Sequence, residues 1–398
     1  MFSTDLTPAR QHGTLRVVHL LKEYLPYSCS WIFHQITGPK QVETLTVAWE
    51  GKDDSLEAFP NSALVRLNRS RPLQYWLDRP LAPFGIRRLC LAARSALEDF
   101  SPDLAHAHFG HYAWSYLPIV KATGLPLVAS FYGHDMSELP RLKPVWVARY
   151  AELFDYGRLF LCEGPVMAAG LRRLGCPAEK IRIQRLGVDC SRVVVSPRYF
   201  EPGETLRVLL VARMTEKKGI PDAIKAVAAA AKRIPIHLTL VGDAAPGRKG
   251  RQEAKRILQT IRDTGGAGLV TQTGRVRYEE LFRIAREHHA LVQPSRTSST
   301  GDTEGGIPVS LIELGATGMA AVATRHADIP DVVRDAETGL LVEEGDVDGL
   351  ADALVRLATT PQMVNCMGQA MARHVAREFD QSRCHAQLVD RYREAIGR

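Results

Sequence analysis

The segment LRVLLVARMTEKKGIPDAIKAVAAAAKRIPIHLTLVG, residues 206–242, decides the fold class of this chain. Its apolar runs at 206–212 and 236–242 are short and rich in Val, Leu and Ile, which is typical of strands buried on both faces. An alanine-rich helical pattern over 219–233 joins them. A strand, a crossover helix and a second strand form the repeating unit of a parallel sheet covered by helices.

The same alternation runs along the whole chain. In the first half, strands are predicted at 15–21, 42–49, 103–109, 126–133, 158–164 and 180–187. In the second half, they are predicted at 206–212, 236–242, 268–274, 289–295 and 320–324. Further helices are predicted at 251–263, 347–358, 361–377 and 380–396. Two such series predict an α/β protein with two doubly wound, Rossmann-like domains.

The segment VSPRYFEPGET, residues 195–205, is the best place for a break, because it has two prolines, a glycine and no apolar periodicity. We therefore predict an N-terminal domain at 1–197 and a C-terminal domain at 198–375. Residues 376–398 are expected to form a helix that packs back on the first domain. Ligands bind beyond the carboxyl ends of the strands in such sheets, so two domains placed face to face would form a binding cleft.

The composition is that of a globular protein: 398 residues, 45% hydrophobic and 24% charged, with a formal net charge of +7. The first 200 residues carry 24 basic and 18 acidic side chains, so most of the excess lies there. That excess suits an anionic partner, either a phosphate-bearing substrate or an anionic membrane face. No long basic run or aromatic-rich RNA motif is present, so nucleic acid is not an expected partner.

The seven cysteines are scattered and form no CxxC pair. This is neither a disulfide framework nor a zinc site, and it favours a reducing compartment. The N-terminal residues lack the apolar core of a signal peptide, and no run of about 18 apolar residues occurs. We therefore expect a cytoplasmic protein.

The stretch HAHFGHY contains His106, His108 and His111 at the end of a predicted strand. His106 and His108 point to the same face at strand spacing. Three interpretations are open: a metal site, buried structural histidines, or cleft-facing hydrogen-bond donors, which we favour for His108. No carboxylate or cysteine completes a metal-ligand set, and this argues against a metal.

Four more polar side chains of the first half lie at the ends of predicted strands. SFYGHD supplies Tyr132, His134 and Asp135, which suit either turn chemistry or contact with a substrate. Glu163 and Gly164 follow the next strand, just before a helix that begins near Pro165.

In the second half, VARMTEKKG places Arg213 at a strand exit and Lys217 and Lys218 just before Gly219. An arginine offers a fork for two phosphate oxygens and a lysine adds a point charge. A solvated basic loop is the alternative interpretation. LVGDAAPG and TQTGRV, which contain Gly242 and Arg275, are further glycine-bearing strand exits and fit a nucleotide held largely by backbone.

The stretch TEGGIPVSLIELG, residues 303–315, is the stronger signal. Pro308 suits the first turn of a helix, and Gly305 and Gly306 before it would leave N–H groups bare for an anion. Glu304 and Glu313 would repel a phosphate unless they face hydroxyl groups, for which sugar and ribose hydroxyls are the natural donors. The alternative is an ordinary helix start with an acidic residue favoured by the helix dipole.

As a set, these stretches resemble the retaining glycosyltransferases of family 4, which have the GT-B fold of two facing Rossmann-like domains. The resemblance covers nearly the whole chain and is strongest to bacterial transferases of exopolysaccharide, colanic-acid or capsule assembly. It is carried by the stretches quoted above together with LCEGPVMAAGLRRLGCPAEKIRIQRLGVD (161–189) and DIPDVVRDAETGLLVEEGD (328–346).

The resemblance implies roles for individual residues. Arg213 and Lys218 correspond to the pair that holds the donor diphosphate, Glu313 to the carboxylate that binds the ribose, and Glu304 to the acidic residue near the donor sugar. The other donor-binding candidates are Gly305, Gly306, Ile307, Gly242 and Arg275. We assign His108 with Arg213, Lys218 and Glu304 to catalysis, and place on the acceptor or sugar side Tyr132, His134, Asp135 and Glu163.

Two features depart from the family pattern. Eight residues separate Glu304 from Glu313, one more than is usual, and the additional residue falls in the Gly-Gly loop. Many members have a histidine where Tyr132 stands, so the tyrosine hydroxyl, His134 or His108 would contact the donor sugar instead.

The implied reaction is a metal-independent, cofactor-free hexosyl transfer, with retention, from a UDP- or GDP-linked sugar to a hydroxyl of a glycan or lipid-linked glycan. The alternative from another class is a non-catalytic sugar-nucleotide-binding assembly subunit. A further alternative is another GT-B enzyme, such as a sugar-phosphate synthase or a phosphorylase, although no pyridoxal-type lysine site is identifiable.

The segment FGIRRLCLAARSALEDF, residues 84–100, combines Arg87, Arg88 and Arg94 with apolar side chains at helical spacing. The apolar face suits packing on the sheet, and the arginines suit an anionic surface. We expect reversible peripheral contact with the inner face of the cytoplasmic membrane.

Overall fold

A computed structural model describes residues 14–26, 29–51, 53–70 and 91–398. The chain divides into two compact units, each with its own parallel sheet. The first unit comprises Met1–Cys162, Ala168–Arg185 and Ser382–Arg398, and the second comprises Glu163–Met167 and Leu186–Gln381. The boundary that we place at residue 197 from the sequence stays a prediction.

The strands of the first unit are β1 Leu15–Glu23, β2 Val42–Glu50, β3 Leu64–Arg66, β4 Leu104–His108, β5 Leu127–Ser130, β6 Leu159–Cys162 and β7 Ile181–Ile183. They form one sheet in the order β3-β2-β1-β4-β5-β6-β7. All its pairings are parallel, and the register places His19 of β1 beside His106 of β4. The order steps outward in both directions from β1 and β4, as in a doubly wound sheet.

The helices of this part of the chain are α1 Ser30–Thr37, α2 Asp53–Ala58, α3 Leu67–Ser70, α4 Leu91–Phe100, α5 Gly110–Thr123, α6 Glu138–Leu142, α7 Val145–Tyr156 and α8 Pro165–Arg173. Residues 84–90 of the predicted membrane-contacting segment, which include Arg87 and Arg88, lie outside the described residues. In its described part, Arg94 pairs with Glu98 at 2.7 Å and Leu97 is buried. Leu97 is therefore not available to a membrane, whereas Arg94 is exposed.

The strands of the second unit are β8 Leu206–Val211, β9 Ile236–Val241, β10 Val270–Gly274, β11 Ala290–Gln293, β12 Ala320–Thr324 and β13 Gly339–Val342. Their order is β10-β9-β8-β11-β12-β13, again with parallel pairings throughout. The helices are α9 Ile220–Ala230, α10 Arg248–Asp263, α11 Tyr278–Arg286, α12 Val309–Ala316, α13 Ile329–Val332, α14 Val347–Thr359, α15 Pro361–Glu378 and, leading into the first unit, α16 Gln381–Ala395. Short 3-10 helices occupy Ala178–Lys180, Cys190–Arg192, Glu216–Lys218 and Gly266–Gly268.

Two strands, β3 and β13, were not predicted from the sequence, and both are edge strands. Each is only three or four residues long and lacks a long apolar run. An edge strand pairs on one side only, so less of it has to be apolar. Strand β13 matters for function, because residues beyond it reach the site described below.

Each sheet lies in the interior of its unit, because its strands are apolar and buried. Valines and leucines of β8, β9, β11 and β12 are almost completely buried and pack against helices on either side. In the first unit, β1, β4, β5 and β6 pack against one face of α16, whose contacting residues are Leu388, Val389, Tyr392 and Ala395. Burying one such leucine or valine contributes about 1.5–3 kcal/mol. Within the described ranges, no helix combines the length and the apolar character needed to cross a membrane.

Candidate active site

The loop at residues 294–308 joins the carboxyl end of β11 to α12 and carries Glu304. Ser295 is fully buried at its start, accepts a hydrogen bond from Gln293 and donates one to Glu304 Oε1 at 2.6 Å. The neighbouring 3-10 helix closes on this loop at Gly219, where a Cβ would lie 1.8 Å from Pro294 O and the backbone φ is +61°. Only glycine fits such a position, and this brings Lys217 and Lys218 next to the loop.

Lys218 and Glu304, both predicted site residues, form a nearly buried ion pair. Lys218 Nζ lies 2.7 Å from Glu304 Oε2, and the two side chains are 15% and 5% exposed. Burial raises the pKa of Glu304, but Lys218, Lys217 and the hydrogen bonds from Lys218 and Ser295 outweigh it, so the net pKa lies below the ordinary value. Burial also lowers the pKa of Lys218, although Glu304 opposes this effect. We infer that Glu304 is ionised and pairs with a lysinium ion at neutral pH.

Arg213 differs from Lys218 in having no such partner. It lies two residues beyond the end of β8 and its side chain is exposed. Among the described residues, nothing forms a hydrogen bond or an ion pair with its guanidinium. Its positive charge is near enough to lower the pKa of Lys218. The positive charge of Lys218 is therefore balanced by Glu304, whereas no described residue forms an ion pair with Arg213.

Glu313 lies on α12, whose first turn is tied to β8 by a hydrogen bond from Ser310 Oγ to Val211 O of 3.1 Å. Burial raises the pKa of Glu313 to about 7, and a hydrogen bond with Tyr278 opposes that rise. No neighbouring cation among the described residues lowers the pKa of Glu313, whereas Lys218 and Lys217 lower the pKa of Glu304. Glu313 therefore titrates in the physiological range and can accept hydrogen bonds fully only above about pH 7.

The Gly-Gly loop has fewer bare amides than the sequence predicts. Gly305 donates to Thr303 Oγ1 at 3.2 Å, and Ile307 donates to Glu163 Oε2 at 3.3 Å. A Cβ at Gly306 would lie 2.3 Å from Glu163 Oε2, so that glycine makes room for the carboxylate. Of the three amides, only that of Gly306 makes no hydrogen bond to a described residue, and the expectation for Gly305 is wrong because a side chain of the same loop satisfies its N–H group.

The remaining donor-side candidates lie at neighbouring strand exits. Gly242 follows β9 and donates to Gly274 O at 3.0 Å, and a Cβ there would meet Ala212 O at 1.9 Å. Arg275 follows β10 and is exposed. Gly242 is thus required for the close approach of two strand ends, and whether either residue touches a nucleotide stays a prediction.

In the first unit, His106 and His108 belong to a buried cluster that also includes His19, which the sequence analysis misses. The rings of His106 and His108 lie 4.3 Å apart, which confirms that they share one face. All three histidines are fully buried, and burial lowers the pKa of each, to about 3 for His19. The cluster is therefore uncharged at neutral pH.

Hydrogen bonds at both ring nitrogens fix the tautomer of His108. Tyr132 Oη donates to Gln35 Oε1 at 3.1 Å and lies 2.8 Å from His108 Nδ1, which must then be the donor. His108 Nε2 lies 3.0 Å from His19 Nδ1 and accepts its hydrogen. Because both ring nitrogens are engaged and the ring is fully buried, the expectation that His108 faces the cleft is wrong. Of its two hydrogen-bond partners among the described residues, His19 is fully buried and Tyr132 is 8% exposed.

The metal interpretation of the histidines finds little support in this geometry. The ring nitrogens of His19, His106 and His108 lie within 4.8 Å of one another. However, His106 already contacts Tyr392 Oη at 2.7 Å and Ser130 Oγ at 2.8 Å. A neutral ring between two hydroxyl groups is a satisfied structural histidine.

The other three predicted acceptor-side residues differ in accessibility. Tyr132 is 8% exposed, whereas Asp135 is completely buried. Asp135 accepts backbone hydrogen bonds from Gly110 at 2.7 Å and from Tyr132 and Gly133 at 3.1 Å each, so it holds the loop and the start of α5. His134 is half-exposed and pairs with Glu138 at 2.9 Å. A direct contact between Asp135 and substrate is not supported, because its oxygens face backbone N–H groups.

Two functional candidates were missed, His326 and Glu344. His326 Nε2 accepts the backbone N–H of Glu304 at 3.0 Å, and His326 Nδ1 lies 2.6 Å from Glu344 Oε1. The rule that polar residues after strands line the site would have found His326, which follows β12. Glu344 follows β13, a strand that the sequence pattern did not reveal.

Two family models match the chain. The model described as "Glycosyltransferase Family 4" matches residues 41–192, and that described as "Glycosyl transferases group 1" matches residues 205–360. The two matches fall on the first and second series of strands.

The chain is also similar to individual proteins. It is 32% identical over 299 residues to the amylovoran biosynthesis glycosyltransferase AmsK of Erwinia amylovora, covering 74% of this chain and 70% of that protein. It is 30% identical over 327 residues to the putative colanic acid biosynthesis glycosyltransferase WcaL of Escherichia coli K12, covering 79% and 77%. Among solved structures, Anabaena HepE in complex with UDP and glucose superposes with a TM-score of 0.73 at 16% identity, covering 95% of this chain and 99% of that one.

These likenesses confirm both the fold class and the family that the sequence predicts. The structural likeness extends over nearly the whole chain and supports the GT-B fold. With a relative above 30% identity over most of its length and family models on both halves, this chain belongs to the glycosyltransferases of family 4.

Proposed function

We propose that this glycosyltransferase is a retaining, metal-independent enzyme that transfers a sugar from a nucleoside-diphosphate donor to a hydroxyl group of a growing surface glycan. The observation that carries the proposal is the pairing of an exposed cation, Arg213, with a buried ion pair, Lys218 and Glu304, at one edge of the second sheet. Such a region offers positive charge to a diphosphate and an ionised carboxylate to sugar hydroxyls.

Arg213 and Lys218 would stabilise the charge that develops on the leaving diphosphate. The bond between the anomeric carbon and the diphosphate oxygen breaks while a bond to the acceptor oxygen forms on the same face. The proton of the acceptor hydroxyl passes to a leaving diphosphate oxygen. Preorganised cations are worth most where charge grows in the transition state, and here they take the role that a metal ion plays in other transferases.

The two carboxylates would recognise different hydroxyl groups of the donor. Glu304 is kept ionised by Lys218 and accepts hydrogen bonds from the sugar, whereas Glu313 accepts them from the ribose. UDP and GDP are the nucleotides proposed, and the complex of HepE with UDP and glucose supports a uridine donor. The names of the relatives support an exopolysaccharide acceptor, free or lipid-linked.

Thermal shift with a panel of UDP- and GDP-sugars, followed by a transfer or hydrolysis assay with the stabilising donor, tests this function. We expect one nucleotide class to stabilise the protein and its sugar to be released or transferred with retained configuration. Binding without any turnover, even with acceptor fragments, would instead favour the alternative, a sugar-nucleotide-binding assembly subunit. Turnover that disappears with chelator and returns with a divalent ion would overturn metal independence.

We further propose reversible contact with the inner face of the cytoplasmic membrane, where a lipid-linked acceptor would reside. A basic and apolar surface of the first unit supports this. Leu142, Val145 and Val147 are 55%, 52% and 45% exposed, and the exposed Arg141 and Lys143 lie among them. Each basic residue near an anionic membrane contributes about 1 kcal/mol.

Co-sedimentation with phosphatidylglycerol vesicles tests the contact. We expect binding that high salt reverses and that the double change Arg141→Glu, Lys143→Glu weakens strongly. The matched control is Arg172→Glu, Arg173→Glu, an exposed basic pair at the end of α8. If only Arg87→Glu, Arg88→Glu weakens binding, the contact lies in segment 84–100 instead. No binding at low salt would overturn the membrane proposal and favour a soluble acceptor.

A further inference from the structure

The backbone of Glu304 is held by a side chain that lies outside the 294–308 loop. Its N–H group donates to His326 Nε2 at 3.0 Å, and His326 is only 2% exposed. A backbone N–H group can only donate, so Nε2 must be the unprotonated nitrogen of the ring. The hydrogen of the neutral ring is then on Nδ1.

Glu344 completes the arrangement. Its Oε1 lies 2.6 Å from His326 Nδ1 and accepts that hydrogen. Thr297, close to the other end of the same loop, donates its backbone N–H to Glu344 Oε2 at 2.8 Å. Burial raises the pKa of Glu344, but the hydrogen bonds from Thr297 and His326 outweigh it, so the net pKa is lowered and the group is ionised.

One carboxylate therefore holds the loop at two points, directly at Thr297 and through His326 at Glu304. The strands explain how this is possible. His326 and Glu344 follow β12 and β13, which are adjacent and parallel, so both side chains emerge at the same edge of the sheet. Neither residue carries the reaction chemistry in the function proposed above.

We propose that His326 and Glu344 are positioning residues that set the place of the Glu304 carboxylate relative to the donor sugar. The inference rests on the proposed function and adds to it a source of precision for the sugar side of the donor. The hydrogen bonds at Thr297 and at the backbone of Glu304 restrain the part of the loop that precedes Gly305 and Gly306.

Glu344→Gln is the sharpest variant, because an amide has one acceptor oxygen and one donor nitrogen. It can satisfy Thr297 N–H or His326 Nδ1–H, but not both in the present orientation. We expect kcat to fall about 10- to 100-fold, the scale of a small misplacement of a reacting group. Affinity for the free nucleoside diphosphate should stay within about twofold of wild type, because this ligand lacks the sugar that Glu304 would contact.

The matched control is Glu343→Gln. Glu343 is the preceding residue, its side chain is 75% exposed, and its ion pair is with Arg325 at 3.4 Å. The Glu343→Gln change removes the same charge from the same loop and leaves the contacts of Glu344 with Thr297 and His326 in place. Wild-type kcat in this control would show that the effect of Glu344→Gln is not one of net charge.

His326→Gln tests the second positioning residue with a variant that keeps a hydrogen-bond acceptor. The glutamine oxygen can still accept from Glu304 N–H, so this variant should lose less kcat than His326→Phe, which offers no acceptor. Equal losses in the two variants would show that filling the space, and not accepting the hydrogen bond, is what matters, and would overturn the proposal.

A measurement that needs no turnover separates this inference from the proposed function. The ¹⁵N spectrum of His326 should show the neutral Nδ1–H tautomer in wild type, and the Nδ1–H signal should shift in Glu344→Gln, because its carboxylate acceptor is replaced by an amide. If that signature is found but no sugar nucleotide is turned over, the proposed function fails while the geometry stands. If kcat of Glu344→Gln equals wild type, or if kcat and diphosphate affinity fall equally, the positioning role is overturned.

Discussion

The two sheets carry polar side chains of opposite character. In the first unit, His19, His106 and His108 are fully buried and uncharged, with His106 bonded to hydroxyl groups and His19 to His108. In the second unit, Lys218 and Glu304 are charged, and Arg213 faces solvent without a partner among the described residues. The two sets differ in hydration, in charge and in position, because the histidines lie within β1 and β4 whereas the charged groups lie beyond the ends of β8 and β11.

This contrast separates residues that shape a site from residues that act on a charged ligand. A buried network of neutral groups orients a group such as the Tyr132 hydroxyl, and its hydrogen bonds are stronger in the low dielectric of the interior. A cation that is to bind a diphosphate has to remain available, and Arg213 is the most available group of the second set. Four measurements test whether the two sets of residues differ in this way.

Loss of the free cation should have the largest effect. Arg213→Ala should reduce turnover by about 10²–10³-fold, the usual scale for removing one preorganised donor in a transition state. The melting temperature should change little, because the side chain is exposed and forms no hydrogen bond or ion pair with a described residue. Lys232→Ala, an exposed cation just beyond α9, is the control and should keep full turnover. Near wild-type turnover in a folded Arg213→Ala protein would refute the diphosphate role.

Loss of the ribose carboxylate should have the next largest effect. Glu313→Ala removes hydrogen bonds to a charged group, worth about 1.5–3 kcal/mol. Affinity for the nucleoside diphosphate, measured by calorimetry at pH 8, should therefore fall roughly 10- to 100-fold. The affinity for inorganic pyrophosphate, which has no ribose, serves as the internal control and should not change. Unchanged nucleotide affinity would contradict the assignment.

The buried histidines should make the first unit sensitive to acid. The pKa of His19 is about 3 in the folded protein against 6.5 in the unfolded chain, so the unfolded state binds more protons between these values. Stability should be full above pH 6.5 and fall as the pH drops, by about 2 kcal/mol per such histidine at pH 5.

Tryptophan fluorescence can report this loss, because all five tryptophans lie within the first 162 residues. In urea titrations, the dependence of the unfolding free energy on pH should become shallower in His19→Asn and stay unchanged in His237→Asn, a histidine of the second unit. An identical slope in His19→Asn and wild type would show that the cluster does not resist protonation.

The smallest effect concerns the pH dependence of nucleotide affinity. Since burial places the pKa of Glu313 at about 7, the carboxylate is mainly protonated at pH 6 and mainly ionised at pH 8. Affinity should therefore rise with pH over this range, by about tenfold at most, if the ionised form is the acceptor. Glu313→Gln should remove the dependence, and Tyr278→Phe should move its midpoint to higher pH, because the Tyr278 hydrogen bond lowers that pKa. A flat profile in wild type would exclude Glu313 as the titrating group.

Several features of this protein were predictable from local pattern. Strand-helix alternation and apolar runs revealed the two parallel sheets, because a strand buried on both faces must be apolar along its length. The strand-exit rule and the family motifs also found Arg213, Lys218, Glu304 and Glu313. Each of these signals depends only on residues close together in the chain.

The fold class, the family and the identity of the charged groups could therefore be predicted from the sequence. Which of those groups form contacts depends on the tertiary structure: Lys218 pairs with Glu304, Arg213 pairs with no described residue, and the buried His108 is hydrogen-bonded to Tyr132. It also decided that His19, His326 and Glu344 belong to these networks. Their partners lie between 18 and 89 residues away in the chain. Hydrogen bonds and burial depend on that proximity in space, which sheet packing creates and which no local periodicity encodes.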